Sequence, residues 1–579
     1  MPFFFIFYKG ETMLFEQTIK KIKMVKLFIV LLSLALIFKV GYIQIIDRKT
    51  IYDKALESWQ RSFPVQANRG KIYDCSGNIL ATDLTTASLV VVPSQIQDKA
   101  TTAISLSKIL QVDAKSLEEK LNKKVSIQRI SPEGRQLDDE KALRIQRLNL
   151  SGVYLIKDTK RYYPLNQYLS HCLGFVGIDN QGLLGLELEY DRYLKGKNGS
   201  IDYYMDAKSN NLKMYPSHYS ASLSGMNLSL TIDKKVQDVI ERELNNAYDI
   251  YHPDGIWALA MNPQNGEILG MSSKPDFNPN DYKNEDSSIY NQNIPIWKTY
   301  EPGSTFKIIT ASACLEERVV SLSDTFSCPG YRIVEDRKIR CHKVGGHGAE
   351  TFVQGIQNSC NPVFIDIGLR LGTGRFCDYF EQFGLLGKTG VDLPGEAATI
   401  MHKEENIGQV ELATMSFGQS FQVTPIQMAA TVSALVNGGK RVTPHFGVRI
   451  LDKDKETVRE LKYDDGKQIV SEETSRTMQA LLESVVSEGS GKNAKIEGYH
   501  IGGKTATSQT LPRSANKYIS SFIGFAPAAN PQILGMCVIY NPQGVYYGGT
   551  IAAPVIRDIF DNIFPYLGIE KDVEMQYTN

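Results

Sequence analysis

Residues 300–307 read Tyr-Glu-Pro-Gly-Ser-Thr-Phe-Lys, the stretch that indicates both fold and chemistry most directly. A proline and a glycine interrupt the chain just before Ser304, and the apolar run from Thr305 to Leu315 predicts a buried helix. We therefore expect Ser304 at a helix N-terminus, with Lys307 on the same helix face. A desolvated lysine can take the proton of a serine hydroxyl, so the two are a candidate nucleophile and base. An ordinary helix start with a surface lysine explains the same spacing.

Two further motifs follow along the chain. Ser359 and Asn361 offer a hydroxyl for proton relay and a carboxamide for a substrate amide, although a polar helix terminus is an equally ordinary interpretation. Residues 500–508 read HIGGKTATS and predict a strand that can bind an extended peptide, with Lys504 and Thr505 near its carboxylate. A solvated edge strand is the alternative. The order of the three motifs indicates serine acyl transfer more specifically than any one alone.

The N-terminal region predicts a membrane anchor. Residues 24–46 are almost entirely apolar, and about 20 such residues cross a hydrocarbon core. Lysines at positions 20, 21, 23 and 26 precede this run and predict a cytoplasmic N-terminus. A cleaved signal peptide is the alternative, but the apolar run is long and no small-residue cleavage site follows it. We therefore expect a retained single-pass anchor in the plasma membrane, with the rest of the chain extracytoplasmic.

Composition excludes several classes of protein. The chain has 579 residues, of which 42% are hydrophobic and 22% charged, which is ordinary globular usage. Its 64 basic residues balance 64 acidic ones, so net charge gives no support for nucleic-acid binding. Eight cysteines are too few for a disulfide scaffold of this length. A large enzyme of two or more domains remains.

The chain after the anchor divides into two bodies. The part up to residue 222 is rich in strand and turn signals and has no cluster of nucleophile and base, so it predicts a spacer or assembly domain. From Leu228 the pattern changes to a strand, a helix beginning after Asp233, and further strands around a helix-rich middle. That order predicts an α+β or α/β domain of more than about 300 residues.

With these motifs the chain resembles the class B penicillin-binding proteins, the monofunctional peptidoglycan D,D-transpeptidases of division, elongation or sporulation. The resemblance covers nearly the whole chain after the anchor. It includes Arg69-Gly70-x-Ile72-Tyr73-Asp74, Arg161-x-Tyr163-Pro164, Asp392-Leu393-Pro394-Gly395-Glu396, Ser416-Phe417-Gly418-Gln419 and Ser521-Phe522-Ile523-Gly524-Phe525.

The resemblance implies an α+β fold with a single N-terminal transmembrane helix, a strand-rich pedestal (dimerisation) domain and a penicillin-binding, β-lactamase-like transpeptidase domain. The transpeptidase domain would have an antiparallel sheet with a helical subdomain. The expected bounds are a cytoplasmic tail at 1–23, the anchor at 24–46, the pedestal at 47–222, the transpeptidase domain at 223–568 and a C-terminal tail at 569–579.

Site residues follow from the same resemblance. It implies that Ser304 forms an acyl-enzyme with a D-Ala–D-Ala stem peptide and with β-lactams, and that Lys307 acts as its base. It further implies roles in proton relay, amide binding and carboxylate binding, together with an oxyanion hole made by the backbone N–H groups of Ser304 and Thr507. The residues in those three roles are Ser359, Asn361 and the pair Lys504 and Thr505.

The resemblance also implies partners. The pedestal would contact a membrane glycosyltransferase of the cell-wall machinery, and the chemistry requires no cofactor. A penicillin-sensing receptor, a serine β-lactamase and an inactive division scaffold are the alternative functions. The receptor would need a signalling domain, the β-lactamase a deacylation base and no pedestal, and the scaffold no intact motifs.

One position departs from the family pattern. The third residue of the last motif is usually glycine, and here it is Ala506. We expect its methyl group to crowd a bound β-lactam.

A group of cysteines and histidines lies between the first two motifs. Cys328 is followed after twelve residues by Cys341 and His342, and then by His347. Thiolates and imidazoles together are typical zinc ligands, and a hairpin over residues 331–340 would bring them together. The interpretations are a structural zinc held by Cys328, Cys341 and His347, with His342 or Asp336 as fourth ligand, a Cys328–Cys341 disulfide, or free thiols.

Overall fold

The computed structural model describes residues 4–125, 127–204, 218–464 and 466–571. Within these ranges one helix, Thr18–Ile45, is long and apolar enough to cross a membrane, by length and composition. It is the larger part of α1 (Phe4–Ile45), and α2 (Arg48–Trp59) follows directly. The expected anchor at 24–46 falls almost entirely within it.

The N-terminal body is built around two long paired strands, β3 and β5, whose antiparallel register joins Val91 to Val153 and Thr82 to Tyr162. Small helices cover this pair, with buried leucines and isoleucines between them. The elements are β1 (Gln60–Val65), β2 (Ile72–Tyr73), β3 (Ile79–Val91), α3 (Lys99–Leu110), α4 (Ala114–Leu121), β4 (Gln128–Arg129), α5 (Asp139–Arg147), β5 (Val153–Tyr162), α6 (Ser170–Leu173), α7 (Gly185–Glu189), α8 (Asp191–Leu194), β6 (Gly199–Tyr204), β7 (His218–Ser220) and β8 (Asn227–Leu230).

The C-terminal body begins with a capped helix, because the Asp233 side chain accepts hydrogen bonds from the Lys235 and Val236 N–H groups at the start of α9. Its elements are α9 (Lys234–Tyr251), β9 (Gly255–Met261), β10 (Ile268–Lys274), α10 (Ser287–Tyr290), α11 (Ile294–Trp297), α12 (Lys307–Glu316), β11 (Thr325–Cys328), β12 (Tyr331–Val334), β13 (Arg337–Arg340), β14 (Gly348–Thr351), α13 (Phe352–Gln357), α14 (Asn361–Leu371), α15 (Thr373–Gln382), α16 (Gln409–Met415), α17 (Pro425–Val436), β15 (Gly447–Leu451), β16 (Thr457–Glu460), α18 (Glu472–Ser487), β17 (Gly502–Gln509), β18 (Tyr518–Ala526), β19 (Ile533–Tyr540) and α19 (Gly548–Leu567).

A five-stranded antiparallel sheet divides this body into two layers. Its order is β10-β9-β19-β18-β17, so β17 lies at one edge. Successive residues of a strand point to opposite faces, and Ile256, Ala258 and Ala260 accordingly pack with α9 and α19. Trp257 and Leu259 pack on the other face with the helix-rich middle of the chain. The fold is therefore α+β, with a helical subdomain on one face, as expected.

A second sheet joins the two bodies. Strand β8 pairs in parallel with β2 of the N-terminal body and antiparallel with β15 of the C-terminal body. Close to this junction Asp392 accepts hydrogen bonds from Tyr190 Oη at 2.6 Å and from the backbone N–H groups of Phe446 and Gly447. The bodies are thus connected by backbone pairing and by a buried carboxylate.

Candidate active site

Ser304 lies in a tight turn directly before α12. Residues 303–305 form a 3-10 turn, so Ser304 precedes the helix. The sequence predicts this helix from Thr305, and in the structure it begins at Lys307. We call residues 300–305 the serine turn. Tyr300 pairs with Val423 through both backbone groups, and Ser508 Oγ of β17 donates to the carbonyl oxygen of Glu301 at 2.9 Å. The half-buried Ser304 is thereby held between β17 and the segment before α17.

Close backbone contact fixes the other side of the serine turn. Gly303 N–H donates to the carbonyl oxygen of Gly418 at 2.9 Å. Gly418 has a φ of +86°, and a Cβ there would lie 2.1 Å from the Gly303 oxygen. Only glycine fits both the left-handed backbone and this separation. The Ser416–Gln419 stretch therefore acts by supporting the turn that carries Ser304.

Four side chains from the three motifs form one hydrogen-bonded group, which we call the lysine network. Lys307 Nζ donates to the carbonyl oxygen of Ser359 at 2.7 Å, to Ser359 Oγ at 3.2 Å and to Asn361 Oδ1 at 2.7 Å. Lys504 Nζ donates to the same Ser359 Oγ at 2.9 Å. Among the described residues no hydrogen bond joins Ser304 to Lys307. Ser359 thus links the lysines of the first and third motifs.

The Ser359 backbone is strained. It lies between α13 and α14 with a φ of +55°, a left-handed conformation that non-glycine residues adopt rarely. Such strain is typical of functional positions whose surroundings hold the residue in place. Its consequence here is that both the carbonyl oxygen and the hydroxyl of one residue face Lys307.

Both lysines are almost completely buried, each with 1% exposure. Burial disfavours the charged form and lowers the pKa of Lys307 to about 8. Burial, together with the positive charge of Lys307, lowers the pKa of Lys504 well below its ordinary value. A buried lysine that is half neutral near pH 8 can exchange a proton with a hydroxyl.

Strand β17 presents its residues alternately to two sides. The side chains of Lys504 and Ser508 point to the serine turn and the lysine network. Ala506 lies on that same side and is 3% exposed. A methyl group added to Gly303 would lie 3.6 Å from the Ala506 Cβ, so the two residues face each other. On the other side Thr507 Oγ1 accepts a hydrogen bond from Gly548 N–H at 2.9 Å. The Ala506 methyl therefore packs behind the serine turn.

Four potential metal ligands meet beside the lysine network. Cys328 Sγ and Cys341 Sγ lie 3.6 Å and 3.7 Å from His347 Nδ1. Cys360 completes the group, which we call the cysteine cluster, and all four ligand atoms lie within 4.8 Å of one another. The sequence predicts His342 or Asp336 as the fourth member, but both side chains are exposed and Cys360 takes that place. No signal in the sequence near Cys341 identifies Cys360, because only the fold brings the second motif to the hairpin.

Proton sharing within the cluster follows from its geometry. A hydrogen bond between the Cys341 and Cys360 thiols lowers the pKa of Cys341 and raises the pKa of Cys360. None of the eight cysteines of the chain forms a disulfide bond in the structure.

Comparison with known proteins identifies the family. The family model of the penicillin-binding protein transpeptidase domain matches residues 256–561, and that of the penicillin-binding protein dimerisation domain matches residues 64–230. The chain belongs to the class B penicillin-binding proteins. As a member of this family it is a serine-type transpeptidase of peptidoglycan cross-linking that binds penicillin.

Individual relatives agree with this family. The chain is 46% identical over 567 residues to the stage V sporulation protein D of Bacillus subtilis, covering 96% of this chain and 88% of that protein. It is 28% identical over 560 residues to the peptidoglycan D,D-transpeptidase FtsI of Escherichia coli, covering 94% and 91%.

Solved structures share the fold of this penicillin-binding protein. A peptidoglycan synthetase from Bifidobacterium adolescentis has a TM-score of 0.73 at 22% identity, covering 89% of this chain and 98% of the other. Penicillin-binding protein 2X from Streptococcus thermophilus has a TM-score of 0.71 at 21% identity, covering 89% and 81%.

Proposed function

We propose that Ser304 is the nucleophile of this transpeptidase and that the lysine network carries its protons. The observation that supports this proposal is the buried hydrogen-bonded group joining Lys307 and Lys504 through Ser359, directly beside the serine turn. Two lysines without a carboxylate partner are unfavourable as mere structural elements. The position of both lysines at the Ser359 hydroxyl is therefore best explained by proton transfer.

The proposed reaction has two acyl transfers. Ser304 Oγ attacks the carbonyl carbon between the two terminal D-alanines of a donor stem peptide, and its proton passes to neutral Lys307. The C–N bond then breaks, and the leaving D-alanine amine takes a proton relayed through Ser359. An amine of a second stem peptide attacks the resulting ester, the new amide forms, and Ser304 Oγ leaves and regains a proton.

The remaining site residues position the donor in this proposal. Asn361 holds the donor amide, while Lys504 and Thr505 bind its terminal carboxylate. The backbone N–H groups of Ser304 and Thr507 stabilise the oxyanion, and one such donor contributes about 3–4 kcal/mol to the transition state. Support comes from the position of β17, whose edge faces the serine turn.

Labelling with a fluorescent penicillin tests the nucleophile. Ser304→Ala should abolish covalent labelling at unchanged melting temperature, because the side chain makes no hydrogen bond among the described residues. The control is Ser312→Ala, which removes a hydroxyl from α12, the helix that follows Ser304, and should keep labelling.

Two of the alternatives, the inactive scaffold and the β-lactamase, give their own results in this experiment. If the protein is an inactive scaffold, even the wild-type chain will stay unlabelled. If it is a β-lactamase, the label will be released within seconds. Equal labelling of Ser304→Ala and wild type would refute the assignment.

We propose further that the cysteine cluster holds a structural zinc ion. In a tetrahedral site with a Zn–S bond of about 2.3 Å and a Zn–N bond of about 2.0 Å, sulfur and nitrogen lie about 3.5 Å apart. The observed separations of 3.6 Å and 3.7 Å match this edge. Buried Glu350 lies 3.9 Å from the same His347 Nδ1, so its carboxylate faces the cluster and a cation there would balance its charge.

Elemental analysis of protein purified without added metal distinguishes the three interpretations of the cluster. Zinc binding requires about one equivalent per chain, which Cys328→Ser and Cys360→Ser should remove. Cys377→Ser, a cysteine outside the cluster, is the control and should keep it. If the protein contains no zinc and has two fewer free thiols than the reduced chain, the disulfide is established. If it contains no zinc and all thiols are free, the cysteines of the cluster are free thiols.

We also propose that the N-terminus is cytoplasmic, that residues 24–46 form the anchor, and that the pedestal (47–222) and transpeptidase domain (223–568) are extracytoplasmic. The lysines before the anchor support this orientation. Protease added to spheroplasts should digest nearly the whole chain, whereas a protected fragment containing both domains would reverse the orientation. The pedestal is proposed to contact a membrane glycosyltransferase, which crosslinking from surface positions of α3 and α5 would detect.

We propose a role in spore formation, which is supported by a higher identity to the stage V sporulation protein D than to the peptidoglycan D,D-transpeptidase FtsI. Deletion of the gene should then abolish spore maturation while vegetative growth continues. A block in division or loss of cell shape would assign the chain to the other machinery.

A further inference from the structure

The hairpin β12–β13 (Tyr331–Arg340), which we call the basic hairpin, has a face with no partner in the described chain. Its register pairs Tyr331 with Arg340 and Ile333 with Lys338, so these four side chains share one face. Ile333, Lys338 and Arg340 on this face are exposed. Lys338 Nζ lies 3.9 Å from the centre of the Tyr331 ring. The face thus combines two cations with apolar surface.

The opposite face anchors the hairpin to the helical subdomain. Val334 is buried, Ile339 packs against the core, and Arg332 forms an ion pair of 2.8 Å with Asp366 of α14. The cysteine cluster adds a second anchor, since Cys328 precedes the hairpin and Cys341 follows Arg340 directly. The exposed face is therefore held in a fixed position.

This fixed position adjoins the lysine network. Asn361 Nδ2 donates to the carbonyl oxygen of Arg340 at 3.1 Å, while Asn361 Oδ1 accepts from Lys307. One carboxamide thus separates the Arg340 backbone from the proposed base. The guanidinium of Arg340 and the ammonium of Lys343 have no ion-pair partner among the residues that the structure describes.

Charge indicates the chemistry of the occupant. Residues 331–347 carry five lysines and arginines against one glutamate and one aspartate. Arginine binds carboxylates through charge-assisted hydrogen bonds. A carboxylate on the part of the donor stem peptide upstream of its D-Ala–D-Ala end would be the complementary group, and Asn361 is the residue proposed to hold that donor.

We infer that Arg340 on the basic hairpin binds a side-chain carboxylate of the donor stem peptide and so selects donors with a free carboxylate over amidated ones. The inference rests on the proposed function of the Ser304 site. Arg340 contacts the substrate away from the reacting carbonyl, so it determines specificity and takes no part in proton transfer.

The test compares two synthetic donors that differ only in one carboxylate or carboxamide, with a fluorescent D-amino acid as acceptor and the full-length chain in detergent. Wild type should have a kcat/KM about tenfold higher for the free acid, the size of one hydrogen bond to a charged group. Arg340→Gln should lower the free-acid value to that of the amide and leave the amide value unchanged. Protection of Ser304 against penicillin by each peptide gives a second, binding-only measurement.

Controls separate this inference from the proposed function. Arg337→Gln removes another exposed cation, on the other face of the hairpin, and should leave the preference intact. Penicillin acylation of Arg340→Gln should equal that of wild type, because the reacting centre is untouched. If penicillin does not label the wild-type protein, the proposed role of Ser304 is wrong. No preference in wild type, an equal loss with both donors in Arg340→Gln, or the same effect in Arg337→Gln would overturn the role of Arg340.

Discussion

At the scale of single residues, Lys307 combines burial with three hydrogen-bond acceptors. The acceptors, two oxygens of Ser359 and one of Asn361, favour the charged form, whereas burial favours the neutral form. Burial is the larger effect and lowers the pKa of Lys307 to about 8. A base with this pKa is partly neutral under physiological conditions, as a general base must be.

The pH dependence of acylation follows from this value. Only neutral Lys307 can accept the Ser304 proton, so the second-order rate constant for penicillin should rise with pH, about tenfold per unit below the pKa, and level off above about pH 8. Stopped-flow labelling from about pH 6 to 9, with tryptophan fluorescence as a control for folding, measures it. A flat profile over this range would show that another group takes the proton.

Ala506 gives a second prediction at this scale. The family pattern predicts that its methyl crowds β-lactams, but the methyl is 3% exposed and faces Gly303. Ala506→Gly should therefore change acylation by bulky and compact penicillins in the same ratio and lower the free energy of unfolding by about 0.5–1 kcal/mol. Parallel acylation kinetics and urea denaturation measure both quantities. A selective gain with the bulky compound would restore the crowding interpretation.

At the scale of elements, the serine turn depends on a neighbouring turn distant in sequence. Residues 416–419 approach residues 300–305 so closely that the Gly418 Cα hydrogen is the largest group that fits at that position. Short loops of this kind position a reacting group to within fractions of an ångström, and a misplacement of about 1 Å decreases the rate about a hundredfold.

Gly418→Ala tests this support. The added methyl would lie 2.1 Å from the Gly303 oxygen in a left-handed backbone, so we expect penicillin acylation to fall about a hundredfold while the far-ultraviolet circular dichroism stays unchanged. Gly387→Ala is the matched control, since nothing lies within 4 Å of its new methyl. Equal acylation rates in the two variants would mean that the serine turn tolerates displacement.

At the scale of the whole molecule, a buried group of charges stabilises the N-terminal body. Glu187 is fully buried and forms ion pairs with Arg69 at 2.5 Å and Arg161 at 2.7 Å. Burial alone would raise the pKa of Glu187, but Arg161 and Arg69 lower it below its ordinary value. The two arginines come from the segments Arg69–Asp74 and Arg161–Pro164, so the Glu187 carboxylate links these two stretches.

Removing that charge should destabilise the molecule without changing its chemistry. Glu187→Gln removes the anion that two buried guanidinium groups share, so that Arg69 keeps only Asp191 and Arg161 keeps only Asp83. We expect the free energy of unfolding to fall by about 3 kcal/mol. Asp238→Asn breaks the exposed Lys234–Asp238 pair and should change it by less than about 1 kcal/mol. Urea denaturation compares them. Penicillin acylation of the folded Glu187 variant should match wild type, and a stability loss no larger than that of Asp238→Asn would refute the argument.

The sequence by itself determined the class of fold, a helix long and apolar enough to span a membrane, and the three motifs that indicate the chemistry. Local sequence carries these features: apolar length predicts the helix at 18–45, and an Asp233 cap starts α9. The hairpin expected over residues 331–340, which would bring the cysteines together, is also present. Family resemblance connected these local signals into an α+β transpeptidase.

Only the tertiary structure decided which distant residues meet. It placed Cys360 with Cys328, Cys341 and His347, joined Lys504 to Ser359 across 145 residues of sequence, and put the Ala506 methyl behind the serine turn. Such contacts depend on how strands and helices pack in three dimensions, and a periodicity of two or 3.6 residues says which face a side chain occupies but not what lies opposite. The partner of each side chain is set by the packed fold.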